Sequence, residues 1–129
     1  MKSTETTISE ALIAALESAV GKANLLVADE EKTDYGSDET EDYHFMPGLV
    51  VKPGSASEIS AVMQLANEYK IPVTPRGAGT GLSGGALPVF GGIVLSTERL
   101  NKIIEIDERN LQATVEPGVV NQVFRDAVE

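Results

Sequence analysis

The sequence predicts an α/β domain in which a small parallel sheet precedes a pair of antiparallel strands. A strand–helix–strand pattern runs from residue 49 to residue 74, and such a unit joins two parallel strands by a right-handed crossover. A third apolar run at 93–95 follows a glycine-rich stretch. Two further apolar runs, 103–106 and 111–115, flank a polar turn and predict a hairpin.

Length and composition restrict the class of protein. The chain has 129 residues, which is room for one domain. It has no Cys, which excludes a disulfide framework, a thiolate nucleophile and a Cys-ligated metal. No apolar run approaches the ~20 residues that a membrane span needs, and the first ten residues lack the apolar core of a secretory signal. We expect a cytoplasmic protein, with peripheral attachment to a membrane as an open alternative.

The charge is strongly acidic and unevenly distributed. The net charge is −10, which argues against a nucleic-acid binder because such proteins depend on Lys and Arg to neutralise phosphates. Eight of the acidic residues lie between Asp29 and Asp42, with Lys32 as the only cation among them. An anionic ligand could still bind elsewhere, because charges beyond the ~8 Å Debye length are largely screened.

The N-terminal region predicts a helix followed by a loop. Apolar residues recur every four positions from Ile8 to Val20, and Thr7 and Glu10 have capping-box spacing. Gly21 suits the position after the helix end. The acidic stretch that follows has no period, so we expect a solvated loop that is partly anchored by two aromatic residues, Tyr35 and Tyr43.

The strand–helix–strand unit has clear local signals. The β-branched run Leu49–Val51 suits a buried strand. Ser55 and Glu58 have capping-box spacing and precede a helix with one apolar face. A second strand is predicted at Ile71–Thr74.

The sequence ends in a predicted helix that is not followed by the Gly, Asn or Pro that usually ends a helix. Pro117-Gly118 is a break, after which apolar residues mark one side of a helix that begins near Val119. The hairpin before it would be marginal as an isolated two-stranded ribbon. We expect this to be the N-terminal piece of a longer protein; the alternative is a terminal helix that simply frays.

The glycine-rich stretch is the strongest functional signal. Seven of the twelve glycines lie between Gly77 and Gly92, directly after a predicted strand. Such a turn presents backbone N–H groups to an anion, and the missing Cβ atoms let phosphate oxygens approach the main chain. Arg76 adds a permanent cation, and Thr80 and Ser83 add hydroxyl donors. The alternative is a connection without a ligand, which would carry a large ordering entropy for no purpose.

Two familiar phosphate motifs do not explain this loop. No Lys lies between Lys70 and Lys102, which excludes a Walker loop. The spacing G-x-G-x-x-G occurs at 79–84, but further Gly and Pro residues prevent the helix that a Rossmann loop must open into. The loop would therefore bind a diphosphate through amides of an extended turn.

Four motifs, in their order along the chain, resemble the FAD-binding domain of the vanillyl-alcohol oxidase family of flavoproteins. This domain is also called the PCMH-type FAD-binding domain. The motifs are VVKPGS at 50–55, PVTPRGAGTGLSGGA at 72–86, GGIVLS at 91–96 and ATVEPGV at 113–119. The resemblance is greatest to the branch that oxidises 2-hydroxy acids, which contains the FAD subunit of glycolate oxidase and the FAD-linked D-lactate dehydrogenases. It covers about residue 35 to residue 129.

The resemblance implies an organisation and a set of cofactor contacts. Residues 1–46 would form an N-terminal helix and acidic loop, and 47–129 the first part of an FAD-binding domain with its pyrophosphate loop at 75–85. That domain has a small three-stranded parallel subdomain with flanking helices and a second, mostly antiparallel α+β subdomain. The implied FAD contacts are Pro75, Arg76, Gly77, Ala78, Gly79, Thr80, Gly81, Leu82, Ser83, Gly84, Gly85, Pro117 and Gly118.

The resemblance also implies which chemistry belongs elsewhere. Some relatives attach FAD to a His in this loop, whereas this loop has none, so noncovalent FAD is expected. The full protein would transfer a hydride from a 2-hydroxy acid to flavin N5 and pass electrons to an unknown acceptor. The substrate site, the base and any metal ligands lie in a C-terminal cap domain, so we expect no catalytic or metal residue here.

Other candidate sites are weaker. His44, the only histidine, stands beside Asp42 in the acidic stretch and suits a solvated loop better than a catalytic base. The acidic cluster lacks the EF-hand ligand pattern, and Ser83 is not followed by the helix of a nucleophile elbow. Two function classes remain: the FAD-binding portion of an oxidoreductase, or a noncatalytic anion-binding or assembly module that has kept the loop.

Overall fold

The computed structural model describes residues 8–36, 47–77 and 91–129. Within these ranges the helices are α1 (Glu10–Val20), α2 (Asp29–Lys32), α3 (Ala56–Tyr69) and α4 (Asn121–Val128). The strands are β1 (Leu25–Leu26), β2 (Leu49–Val51), β3 (Val73–Arg76), β4 (Ile93–Ser96), β5 (Ile103–Asp107) and β6 (Gln112–Val115), and short 3₁₀ turns occupy Lys22–Asn24 and Thr33–Gly36.

The first sheet has four strands in the order β1-β2-β4-β3. Strands β2, β4 and β3 are parallel, which confirms the three predicted parallel strands. Strand β1 pairs antiparallel with β2 at one edge, a pairing that its two apolar residues alone could not reveal. Strand β3 forms the other edge, where a residue such as Pro75, which has no N–H to donate, is tolerated.

An apolar core lies between this sheet and helices α1 and α3. The spacing of four residues predicted the buried face of α1 correctly, and Val62 and Ala66 come from α3. β2 and β4 are buried along their whole length. The core consists of Leu12, Leu16, Val20, Leu25, Leu49, Val51, Val62, Ala66, Ile71, Ile93 and Leu95.

Side-chain caps mark the starts of α1 and α3, and one of these caps differs from the prediction. α1 begins after Ser9, whose Oγ accepts from the backbone N–H of Leu12 at 3.2 Å, so Ser9, and not Thr7, is the N-cap. α3 begins as predicted: Ser55 Oγ accepts from the N–H of Glu58 at 3.2 Å. The Glu58 carboxylate in turn accepts from the N–H of Gly54 at 3.0 Å.

The start of the acidic stretch is helical, which corrects the loop predicted there. Three acidic residues fill the first turn of α2, where negative charge is favourable beside the free N–H groups of a helix start. Lys32 is buried, and its Nζ donates to the carbonyl of Gly48 at 3.0 Å and lies 3.2 Å from Asp29. This cation therefore ties the segment to the start of β2. Residues 37–46, with Tyr43 and His44, lie outside the described residues.

The second sheet is the predicted hairpin of β5 and β6. Its turn is held by Asp107, whose carboxylate accepts from the N–H and the side-chain amide of Asn110. Strand β6 is exposed throughout and α4 has no buried residue. Among the residues described here, no helix has the length and apolar character that crossing a membrane requires.

Candidate cofactor site

The candidate site lies at the carboxyl edge of the parallel strands. β2, β4 and β3 end at Val51, Ser96 and Arg76 on the same side of the sheet. Ligands of open α/β sheets bind outside the carboxyl ends of the strands. Gly77 directly follows β3, so the glycine-rich stretch leaves the sheet at the edge where its predicted function requires it.

The guanidinium of Arg76 contacts the segment that follows α2. Its Nη2 donates to the carbonyl of Asp34 at 3.1 Å, and its centre lies 5.6 Å from the centroid of the Tyr35 ring. The cation thus stacks on an aromatic face. Arg76 holds the Asp34–Tyr35 segment against the sheet edge, a function that the sequence did not indicate.

Five side chains meet at this edge, and we call them the carboxyl-edge cluster. Glu98 is the centre of the cluster because it accepts from the hydroxyls of Tyr35 at 2.5 Å and Ser96 at 2.9 Å. The Nζ of Lys52 lies 3.7 Å from its other carboxylate oxygen. The members are Tyr35, Lys52, Arg76, Ser96 and Glu98.

Burial and hydrogen bonds reinforce the ordinary protonation states in this cluster. Burial, reinforced by the hydrogen bond to Glu98, raises the pKa of the Tyr35 phenol far above its ordinary value. Burial alone would raise the pKa of Glu98, but the bonds from Tyr35 and Ser96 and the charge of Lys52 outweigh it and lower that pKa. At neutral pH the cluster therefore contains a protonated phenol that donates to an ionised carboxylate.

Gly118 is required by close packing. Its N–H donates to the carbonyl of Leu100 at 2.6 Å, and a Cβ at this position would overlap the carbonyl oxygen of Thr97. Gly118 therefore lets the chain after β6 approach the turn after β4. The resemblance implies a cofactor contact at Gly118, and the structure shows a packing role for the same glycine.

A cavity of about 210 Å³ brings two of the predicted site residues together. Gly77 and Gly118 both line it, together with Glu98 and Asn101. A Cβ on Gly77 would meet no atom of the described residues within 4 Å. This open space fits the approach of a ligand to the Gly77 backbone, and the volume suits one portion of a dinucleotide. Among the described residues, the remaining lining is an apolar wall of three valines, Val119, Val120 and Val123.

The other predicted contacts divide into two groups. Pro75 and Pro117 are described, and both are exposed. The remaining residues of the predicted loop lie outside the described residues, and their contacts stay a prediction: Ala78, Gly79, Thr80, Gly81, Leu82, Ser83, Gly84 and Gly85. In the described ranges no group of three or more His, Cys, Asp and Glu residues could hold a metal ion.

A larger cavity of about 300 Å³ lies in the second sheet, away from this edge. It is bounded by the β5–β6 turn and by Phe124 and Val128 of α4. Neither the carboxyl ends of the parallel strands nor Gly77 contributes to it, so we assign the candidate site to the smaller cavity.

The fold and this edge define an FAD-binding domain, and comparison with known proteins gives the same class. The family of FAD-binding domains matches residues 47–129, so the chain belongs to that family. The predicted cofactor, FAD, is thereby confirmed. The crystal structure of p-cresol methylhydroxylase with substrate bound superposes on 94% of this chain with a TM-score of 0.83 and 26% sequence identity, and the match covers 25% of that protein.

Two curated relatives are similar to this chain over most of its length. It is 45% identical to the glycolate oxidase subunit GlcD of Bacillus subtilis over 95 residues, which are 74% of this chain and 20% of that protein. It is 40% identical to D-lactate dehydrogenase of Anaerostipes hadrus over 110 residues, 84% of this chain and 23% of that protein. The chain therefore spans about a fifth to a quarter of these relatives.

Proposed function

We propose that this chain is the FAD-binding portion of a flavin-dependent oxidoreductase that acts on a 2-hydroxy acid such as glycolate or D-lactate. The relatives named above support the substrate class. Bound FAD would supply the chemistry, which is acceptance of a hydride from the substrate Cα at flavin N5. The contribution of this chain is to bind and orient the cofactor.

The observation that carries the proposal is the position of Gly77. It follows a parallel strand at the carboxyl edge, has free space among the described residues where a side chain would be, and lines the same cavity as Gly118. Backbone N–H groups from Gly77 onwards would donate to the diphosphate, and the absence of Cβ atoms would let its oxygens come close. The lack of a His between residues 75 and 85 supports noncovalent binding.

The two described glycines of this cavity provide a matched test. In Gly77→Val the new side chain enters open space among the described neighbours, so the free energy of unfolding should stay within ~0.5 kcal/mol of wild type. FAD affinity should fall at least tenfold, because the side chain occupies the path of the diphosphate. Isothermal titration of FAD and ADP into the 129-residue chain measures the affinity, and urea unfolding measures stability.

Gly118→Ala tests the packing role of the second glycine through its effect on stability. Its Cβ would overlap the carbonyl oxygen of Thr97, so unfolding should become easier by ~1–3 kcal/mol. Gly79→Val, within the predicted loop, should abolish nucleotide binding and leave the far-UV circular dichroism intact. A wild-type chain that takes up neither FAD nor ADP would refute the proposal and favour a noncatalytic module.

A further inference from the structure

Glu98 has a position that its contacts with the described residues do not fully explain. Its carboxylate is held by Tyr35, Ser96 and Lys52, yet 45% of the side chain remains exposed. The residue also lines the cavity between Gly77 and Gly118. An oriented carboxylate therefore borders the space in which the proposed function puts a nucleotide diphosphate.

The chemistry of the two anions determines what Glu98 can face. An ionised carboxylate only accepts hydrogen bonds, and phosphate oxygens of a diphosphate also only accept them. The two groups cannot pair, so the carboxylate must face a donor. The parts of FAD on either side of its diphosphate are a ribose and a ribityl chain, and both carry hydroxyl groups that donate.

Two features make a carboxylate tolerable beside a diphosphate. Lys52 lies 3.7 Å from one oxygen of Glu98 and offsets its charge. Tyr35 and Ser96 both donate to the other oxygen, Oε1. Among the contacts described for this carboxylate, Oε2 meets only Lys52 and keeps capacity for a further donor.

We propose that Glu98 accepts a hydrogen bond from a sugar hydroxyl of the flavin nucleotide, and so selects for the polyol next to the diphosphate. The proposal rests on the proposed function, since it requires that the cavity bind a flavin nucleotide. The same chemistry could come from the adenosine ribose or from the ribityl chain. The choice of nucleotides in the test separates these two sources.

The test compares wild type, Glu98→Ala and Glu98→Gln of the 129-residue chain in titrations with FAD, ADP, 2′,3′-dideoxy-ADP and FMN. Hydrogen bonds to charged groups are the stronger class, so Glu98→Ala should weaken FAD binding by roughly ten- to a hundredfold. Glu98→Gln, which keeps an acceptor without the charge, should lose less. If the ribose is the donor, Glu98→Ala should weaken the binding of ADP as much as that of FAD and leave the binding of dideoxy-ADP unchanged. If the ribityl chain is the donor, Glu98→Ala should weaken the binding of FMN and leave the binding of ADP unchanged.

Tyr35→Phe separates a direct contact from a structural effect. It removes the phenol that holds Glu98 but leaves the carboxylate at the cavity, so FAD affinity should stay within about threefold of wild type, the effect of losing one modest hydrogen bond. An equal loss in Tyr35→Phe and Glu98→Ala would overturn the proposal, as would unchanged FAD affinity in Glu98→Ala. If the wild-type chain binds no nucleotide, the proposed function fails together with the Glu98 contact. If the wild-type chain binds FAD and Glu98→Ala binds it equally well, only the Glu98 contact is overturned.

Discussion

The two sheets of this chain differ in how much apolar surface they bury. The first sheet, with α1 and α3, encloses a core in which β2 and β4 are fully covered. The second sheet and α4 expose much of theirs: Ile104 is 63% exposed, Val123 56% and Leu111 91%. Both regions have well-formed elements, so regular local structure and a buried core are separate properties.

The difference has a local physical cause. In the second sheet, the turn and the strand pairing are fixed by backbone bonds and by the carboxylate of Asp107, which need no core. The N–H of Gly118 donates to the carbonyl of Leu100 and so joins this region to the turn after β4. The stability of the chain should therefore depend on the first sheet.

The largest expected effect tests that dependence directly. Leu16 is fully buried in α1, whereas Val123 in α4 is 56% exposed. Leu16→Ala should lower the free energy of unfolding by ~2–5 kcal/mol because it leaves a cavity, and Val123→Ala should change it by less than ~0.5 kcal/mol. Urea unfolding followed by circular dichroism measures both; similar losses would contradict the comparison.

Loss of the N-cap of α3, a helix packed on the first sheet, should have an intermediate effect on the free energy of unfolding. Ser55 accepts from the N–H of Glu58 at the start of α3. Ser55→Ala removes this acceptor and should cost ~1 kcal/mol. Val120 precedes α4 with no side-chain cap bond, so Val120→Ala serves as the control, and its unfolding midpoint should stay near that of wild type.

The smallest effect concerns two residues with a left-handed backbone conformation, one beside the first sheet and one in the second sheet. Lys70 ends α3 with φ of 54° and Leu111 ends the hairpin turn with φ of 54°. Glycine adopts this conformation without the Cβ penalty, so Lys70→Gly should stabilise the whole chain by up to ~1 kcal/mol. Leu111→Gly should protect only the hairpin amides from hydrogen exchange. If Leu111→Gly raised the melting temperature of the whole chain and Lys70→Gly did not, the stability would depend on the second sheet and not on the first.

Local sequence signals predicted most of the fold, while the cofactor contacts of the site stay a prediction. The strand–helix–strand unit, the hairpin and the cap at Ser55 all depend on residues within a few positions of one another. The errors also have local causes. Ser9 lies two residues from Thr7 and is an equally good N-cap. β3 begins at Val73, and not at Ile71 as predicted, because the N–H groups of Lys70 and Ile71 still donate to carbonyls at the end of α3.

In the candidate site, the cavity is lined by two glycines that the sequence resemblance assigns to the cofactor and by a carboxylate that it does not. Gly77 and Gly118 were predicted as cofactor contacts, and both line the cavity. Glu98 was missed because its partners, Tyr35 and Lys52, are distant in the chain. A carboxylate two residues after a buried strand is nevertheless a detectable signal, since it stands where parallel strands end.

Neighbouring residues were enough to predict the order of the elements and a glycine-rich stretch after a parallel strand, because periodicity and backbone freedom are local properties. Contacts between distant parts of the chain were needed to show that Tyr35, Lys52 and Glu98 meet, that Lys32 is buried and that β1 joins the sheet. These residues are far apart in the chain, and pairing of the neighbouring strands β2 and β4 is what brings Lys52 and Glu98 together where the two strands end.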